Sequence, residues 1–374
     1  MNFKETVAHI ELAAKATIYE GESIVPMVWG APGIGKSAAH EVAARNIATK
    51  MGLKGVWLFG DPIPENGENP NWAREYFGVI DKRAGQMDPV DAGGFPHYDR
   101  VNSSMRRVMD AWYPAYDRAD IPDYGMVFLD EITSAAPAVQ ASLFQLLQDR
   151  RLGDKSMKPG WFMSAAGNRI TDGGVVFKMA TPLRSRMVHL DMESDLDGFC
   201  EWGMDSEEIP LSMVAFLRFR PDLLNTHEEF VKKKSKGHAF ATERTWHKLA
   251  KVEKHATDDG MLASFGNGYV GEGPCAEYLG FRKVWHQMPS IDGILLDPDA
   301  SPVPEDAATL YAVSTALAGR ADPNNIGAIV KYLDRFEQKS FAVMCVRDAT
   351  RKNPAVLSSQ AFSLWATQNS KLFG

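Results

Sequence analysis

Cysteine is scarce in this chain of 374 residues: there are three, Cys200, Cys275 and Cys345. They lie far apart and form no CxxC pair. That spacing excludes a disulfide framework and a zinc site of paired thiolates, and it fits a reducing cytoplasm. Long apolar runs are missing as well. None approaches the roughly 18 residues of a membrane span, so no membrane association is expected. Positive charge is not in excess: 41 Lys and Arg stand against 48 Asp and Glu, a net charge of −7. A broad basic surface for nucleic acid is therefore not expected, which leaves only a local patch or pore. The first twenty residues lack the character of a signal or transit peptide, because Glu5, Glu11 and Glu20 interrupt them. Val7, Ile10, Leu12, Ala14 and Ile18 recur there at roughly helical spacing and predict an amphipathic helix. Repeats and low-complexity segments are absent.

What is present is ordinary for a globular protein: 45% hydrophobic and 24% charged residues, enough to bury a full core. The length suggests two or three domains. One stretch stands out. Gly30-Ala31-Pro32-Gly33-Ile34-Gly35-Lys36-Ser37 is G-x-x-x-x-G-K-S, the pattern of a phosphate-binding loop. The apolar Ile24–Trp29 before it reads as a buried strand, with Pro26 at its start. The alanine-rich Ala38–Lys50 after it reads as a helix. Gly33 and Gly35 let the backbone turn tightly, so that N–H groups point at phosphate oxygens, and the helix N-terminus adds partial positive charge. Lys36 is suited to the β- and γ-phosphates and the Ser37 hydroxyl to Mg²⁺.

Gly55–Phe59 predicts the next strand. Gly60 to about Tyr124 is rich in Pro, Gly, Asn and Asp and reads as a long irregular insertion, with a short helix over Met105–Trp112. Met126–Glu131 is an apolar run ending in two carboxylates, the pattern of a buried parallel strand whose C-terminal end presents acids to a ligand. Asp130 is placed there for the Mg²⁺ shell and Glu131 to polarise an attacking water. A helix starts at Pro137, and Asp149–Gly160 reads as a hairpin. Trp161–Ala166 is a further buried strand ending in Gly167-Asn168, whose amide can reach the water and the γ-phosphate. Thr181–Leu190 is a helical turn entering a strand, with Arg184 and Arg186 two residues apart. From about Leu196 the pattern is helical. Val231–Lys236 reads as a solvated basic loop, with substrate or nucleic-acid contact as its alternative. Thr242 is a helix cap, opening a helix with Arg244 near its start. Asp297–Glu305 reads as a linker, followed by helices such as Ala307–Leu317, Ile326–Phe336 and Phe341–Thr350.

Taken in order, the loop, Asp130-Glu131, Asn168, Arg184/Arg186 and Arg244 resemble the Walker A, Walker B, sensor 1, arginine finger and sensor 2 elements of the AAA+ ATPases. A proline often precedes the sensor 2 arginine, and Glu243 stands there instead. The stretch Asp88–Pro96 and the hairpin at Asp149–Gly160 resemble the MoxR-like branch, which has bacterial and phage members. The resemblance covers roughly residues 20 to 290. It implies an α/β domain over residues 1–195 with a parallel sheet in the order 5-1-4-3-2 and an insertion around 60–124. It also implies a helical lid over 196–295, with a helical C-terminal extension over 296–374 left beyond it. It further implies Mg²⁺-dependent ATP hydrolysis in a cytoplasmic ring of identical subunits, usually a hexamer. Glu131, Asn168, Arg184, Arg186 and Arg244 would be catalytic, with Arg186 the favoured finger. Gly30 to Ser37 and Asp130 would bind nucleotide, with Ser37 and Asp130 at the metal. The role implied is that of a chaperone remodelling or activating a protein, often beside a partner with a von Willebrand factor A domain.

Two other readings fit the same motifs. One is an ATP-driven nucleic-acid motor or loader, disfavoured by the acidic balance. The other is a nucleotide-gated scaffold with little turnover, disfavoured by the intact Glu131.

Overall fold

The computed structural model describes residues 1–64, 69–173, 176–233 and 237–369. The chain folds as two compact units, Met1–Ser194 and Asp195–Gly374. No helix among the described residues is long and apolar enough to cross a membrane.

The first unit opens with helix α1 (Phe3–Glu20). The Asn2 side chain accepts from the Glu5 N–H at 2.8 Å, and Glu5 accepts in return from the Asn2 N–H at 3.0 Å. This reciprocal cap satisfies two donors that the first turn would leave unpaired. Strand β1 (Val25–Trp29), helix α2 (Lys36–Lys50) and strand β2 (Gly55–Leu58) come next. The segment after them holds helix α3 (Trp72–Glu75), strand β3 (Tyr76–Arg83), helix α4 (Pro89–Gly93) and strands β4 (Phe95–Asp99) and β5 (Ser104–Val108). Then come β6 (Tyr124–Asp130), α5 (Pro137–Asp149), the short strands β7 (Arg151–Leu152) and β8 (Lys155–Ser156), β9 (Gly160–Gly167), α6 (Thr181–Arg184) and β10 (Met187–Asp191).

Six of these strands form one parallel sheet in the order β10-β1-β9-β6-β3-β2. Alternate residues face opposite sides, as strand geometry requires. Val28, Phe77, Val79, Met126, Phe128 and Phe162 pack under α1 and α2. Met27, Ile80, Val127, Leu129 and Met163 pack with Val139, Leu143, Leu146 and Leu147 of α5. Both faces are thus buried, which explains why these strands read as continuous apolar runs rather than alternating ones. Each of those α5 side chains contributes about 1.5–3 kcal/mol relative to exposure.

The architecture is the α/β one expected, and the sheet has one strand more. Strand β3 lies inside the stretch expected to be irregular, and it is inserted between β6 and the edge strand β2. The sequence hides it because its apolar run is short and contains Gly78. That glycine has a reason. Gly78 pairs with Gly125 on β6, which pairs with Trp161 on β9. The Trp161 indole lies across both glycines, so a Cβ at either would come within 2.6 Å of the ring. The Trp161 N–H donates to the Pro122 carbonyl at 2.9 Å. A second correction concerns Met105–Trp112. Its first part is β5, paired antiparallel with β4 from Phe95↔Val108 to Asp99↔Ser104, and not a helix. The turn between them uses Ser103 at φ 49°. The hairpin expected at Asp149–Gly160 is the β7–β8 pair. Pro26 sits second in β1, ahead of the β9 pairing that begins at Met27.

The ordered elements of the second unit are all helices among its described residues. Thr242 caps the helix Glu243–Glu253 by accepting from the Thr245 N–H at 3.2 Å. Phe216, Trp246, Tyr278 and Phe281 share one core with Val313, Leu317, Ile329 and Cys345, so segments on both sides of 297–305 build it together. Arg218 and Asp348 form an ion pair inside that core. Lys232 and Lys233 pair one helical turn back with Glu228 and Glu229. The rest of the basic stretch, Lys234 to Lys236, lies outside the described residues.

Candidate functional site

Strands β1, β9 and β6 are neighbours, and their C-terminal ends are nearly level: Trp29 pairs with Gly167, and Ala165 with Leu129. The segments that leave these strands therefore meet at one edge of the sheet. After β1 comes Gly30–Ser37, after β9 comes Asn168, and β6 ends in Asp130. Gly35 makes the turn into α2 at φ 98°, a conformation that a side chain would strain.

The Lys36 side chain is buried and folds back over the loop. Its ammonium donates to the Gly30 carbonyl at 2.6 Å, the Ala31 carbonyl at 2.8 Å and Asn168 Oδ1 at 2.8 Å. The Ser37 hydroxyl donates to Asp130 Oδ2 at 2.9 Å. The other Asp130 oxygen accepts the Glu131 N–H at 2.8 Å. Glu131 is exposed and has left-handed backbone, φ 54° and ψ 34°. For a non-glycine residue this is strain of the kind that clusters at functional sites. The structure thus gathers Lys36, Ser37, Asp130, Glu131 and Asn168, which are spread over more than 130 positions of sequence.

Four further residues belong to this neighbourhood and escape sequence reading: Asp81, Thr133, His40 and Ser164. Asp81 lies near the end of β3; burial, and then the charge of Asp130, push its carboxyl above the usual carboxylate range. Thr133 is buried, and its hydroxyl has no partner among the described residues. A Cβ at Gly167 would sit 2.7 Å from that hydroxyl. His40, on the buried face of α2, contacts the Lys36 carbonyl and the Ser164 hydroxyl. None of the four belongs to a sequence motif. The strand carrying Asp81 was itself not legible, and His40 looks like any residue one turn into a helix.

Arg184 is exposed on α6. Its carbonyl accepts from His189 Nε2 at 2.9 Å, and His189 Nδ1 accepts from the Trp29 indole at 2.8 Å. Arg186 is engaged within its own unit: it donates to Gln148 Oε1 at 2.6 Å and to the Pro182 carbonyl, and lies 5.9 Å from the Phe144 ring centroid. Arg244 is exposed near the start of Glu243–Glu253 in the second unit.

No family model and no curated protein matches the chain. Among solved structures it is similar to the Thermotoga maritima RuvB Holliday junction branch migration motor, with 15% identity over 84% of this chain and 81% of that one, at TM-score 0.36. It is also similar to NtrX from Brucella abortus (13% identity, 90% and 67% covered, TM-score 0.34) and to C. elegans PCH-2 (13% identity, 74% and 67% covered, TM-score 0.33). The grounds for function remain the chain's own sheet order and site.

Proposed function

We propose that the protein is a Mg²⁺-dependent ATPase of the AAA+ type, of the MoxR-like branch, which remodels or activates a partner protein as a ring of identical subunits. One observation carries the reading. The Lys36–Asn168 and Ser37–Asp130 contacts join the ends of three adjacent strands into one polar site at a helix N-terminus. Backbone N–H groups of the loop bind phosphate oxygens, and Lys36 adds a point charge at the β- and γ-phosphates. A hydroxyl and a carboxylate oxygen 2.9 Å apart are hard oxygen donors of the kind Mg²⁺ takes. Ser37 and Asp130 would hold the ion, and its charge would offset that of the phosphoryl oxygens. Glu131, free of the metal shell, polarises the attacking water, and Asn168 orients it.

The finger is supplied by a second copy. The engagement of Arg186 with Phe144 and Gln148 favours the exposed Arg184 for that role, with Arg186 shaping the surface around it. The sensor 2 role of Arg244 and a partner with a von Willebrand factor A domain are part of the proposal through the resemblance alone.

A second reading, a nucleic-acid motor, has one observation in its favour. The β4–β5 hairpin exposes Phe95, Tyr98 and Met105, with Arg100 exposed in its turn, which suits base stacking and phosphate contact. Stimulation of turnover by DNA, falling steeply with salt, would support it.

The test uses two variants. Lys36→Ala loses most nucleotide affinity, because the charge at the phosphates is gone. Glu131→Gln keeps affinity and loses turnover by about 100-fold or more, within the range for general base catalysis. Titration of a fluorescent nucleotide and phosphate release measure the two. Wild-type affinity in the first variant would refute the phosphate site, and undiminished turnover in the second would remove Glu131 as the base.

A further inference from the structure

The first turn of α2 is tied to the sheet by a side chain that the proposed chemistry does not use. His40 lies four residues after Lys36 and is fully buried. The other buried apolar positions of α2 carry alanines and one isoleucine: Ala39, Ala43, Ala44, Ile47 and Ala48. An imidazole there costs desolvation that an aliphatic side chain would not. Its contacts account for it. His40 Nδ1 is 2.8 Å from the Lys36 carbonyl oxygen. A carbonyl only accepts, so Nδ1 carries the proton. Nε2 of the neutral ring then accepts from the Ser164 hydroxyl, at 2.6 Å. Burial keeps the ring neutral, with its pKa lowered to about 4. The ring stacks on Phe128, with centroids 4.0 Å apart and planes at 25°.

Both partners sit just upstream of the site on their strands. Phe128 precedes Asp130 by two residues on β6, and Ser164, on β9, precedes Asn168 by four. Asn168 returns to the Lys36 ammonium. The result is a closed circuit: Lys36 side chain to Asn168, along β9 to Ser164, across to His40, and back to the Lys36 backbone.

We propose that His40 and Ser164 form a positioning pair that fixes the backbone of Lys36 against β9, and so sets the distance between the loop's ammonium and Asn168. The proposal rests on the reading of Gly30–Ser37 as a nucleotide phosphate site. Losing either member lets the first turn of α2 shift against the strand ends. The loop N–H groups and the ammonium then no longer converge on one phosphate position, and nucleotide affinity falls while the fold persists.

The experiment measures Mg²⁺-dependent binding of N-methylanthraniloyl-ADP to the full chain, with the thermal midpoint taken in parallel without nucleotide. Ser164→Ala deletes one hydroxyl. His40→Asn keeps an amide donor near the Nδ1 position but cannot reach Ser164. Each is expected to weaken binding about threefold to tenfold, the scale of one hydrogen bond in a buried network. The double variant is expected to be no weaker than the worse single one, since both break the same link. Ile47→Ala is the control: it destabilises α2 away from the loop and keeps wild-type affinity. Wild-type affinity in Ser164→Ala, or additive losses in the double variant, would overturn the pairing. So would an equal loss in Ile47→Ala, because the effect would then track stability alone. If His40→Asn does not fold, Ser164→Ala against Ile47→Ala decides. Failure of the wild type itself to bind the nucleotide would refute the phosphate-site reading, and the pairing with it.

Discussion

His40 can be tested by acid alone. Its folded pKa is about 4 against an ordinary 6.5, because burial outweighs the opposing pull of the Lys36 carbonyl and the Asp130 charge. Well above pH 6.5 neither the folded nor the unfolded chain protonates it, so it contributes no pH dependence there. Between about 6.5 and 4 the unfolded chain takes up a proton that the folded one refuses, so stability falls with falling pH. The full difference is about 3 kcal/mol. Urea unfolding of wild type and His40→Asn at pH 7, 6 and 5 should show the wild-type advantage shrinking as the medium acidifies. A pH-independent gap would mean that the ring titrates as it does in solvent. The same residue marks the limit of sequence reading. Lys36 and Ser37 are legible because they complete the G-x-x-x-x-G-K-S pattern, and Asp130 and Asn168 because each stands at the end of an apolar strand. His40, Ser164 and Thr133 matter only through which strands lie side by side, and nothing local announces that. Arg184 and Arg186 could be found as a pair but not ranked, since the Phe144 ring and Gln148 that hold Arg186 come from a different helix.

At the scale of elements, most helices and five of the six sheet strands are dictated by apolar spacing, caps and prolines. Strand β3 is not. Its apolar core is short, and the glycine that accommodates Trp161 is the kind of residue that normally argues against a strand interior. The β4–β5 ribbon is also illegible: its exposed side chains keep no burial period, because neither face packs on a core. The glycine–tryptophan arrangement carries its own prediction. In Gly125→Ala the new methyl would sit 2.6 Å from both the Trp161 ring and the Gly78 carbonyl. One of those neighbours is backbone, so the clash cannot be relieved by a rotamer change. A loss of about 1–3 kcal/mol is expected, the usual scale of overpacking. It shows as a lower denaturant midpoint with an unchanged slope. A midpoint equal to wild type would mean that the sheet relaxes freely at this point.

For the whole molecule the decisive question is whether catalysis needs more than one copy. If Arg184 reaches a neighbour's nucleotide, Arg184→Ala binds ATP yet turns over poorly, by a factor on the order of 10³ at the lower end of finger effects. Mixing it with Lys36→Ala should restore activity, because some junctions then join an intact loop to an intact arginine. The measurement is turnover across mixing ratios, after subunit exchange has been verified; no recovery at any ratio would confine Arg184 to its own chain. One further property belongs to the chain as a whole. All three cysteines lie in the second unit and are buried, and burial raises the thiol pKa of each, that of Cys200 to about 12. A thiol-directed dye should therefore leave the native protein unlabelled. The helical half carries a built-in clock for its own opening, the sheet half carries none, and the labelling rate times one of them without touching the other.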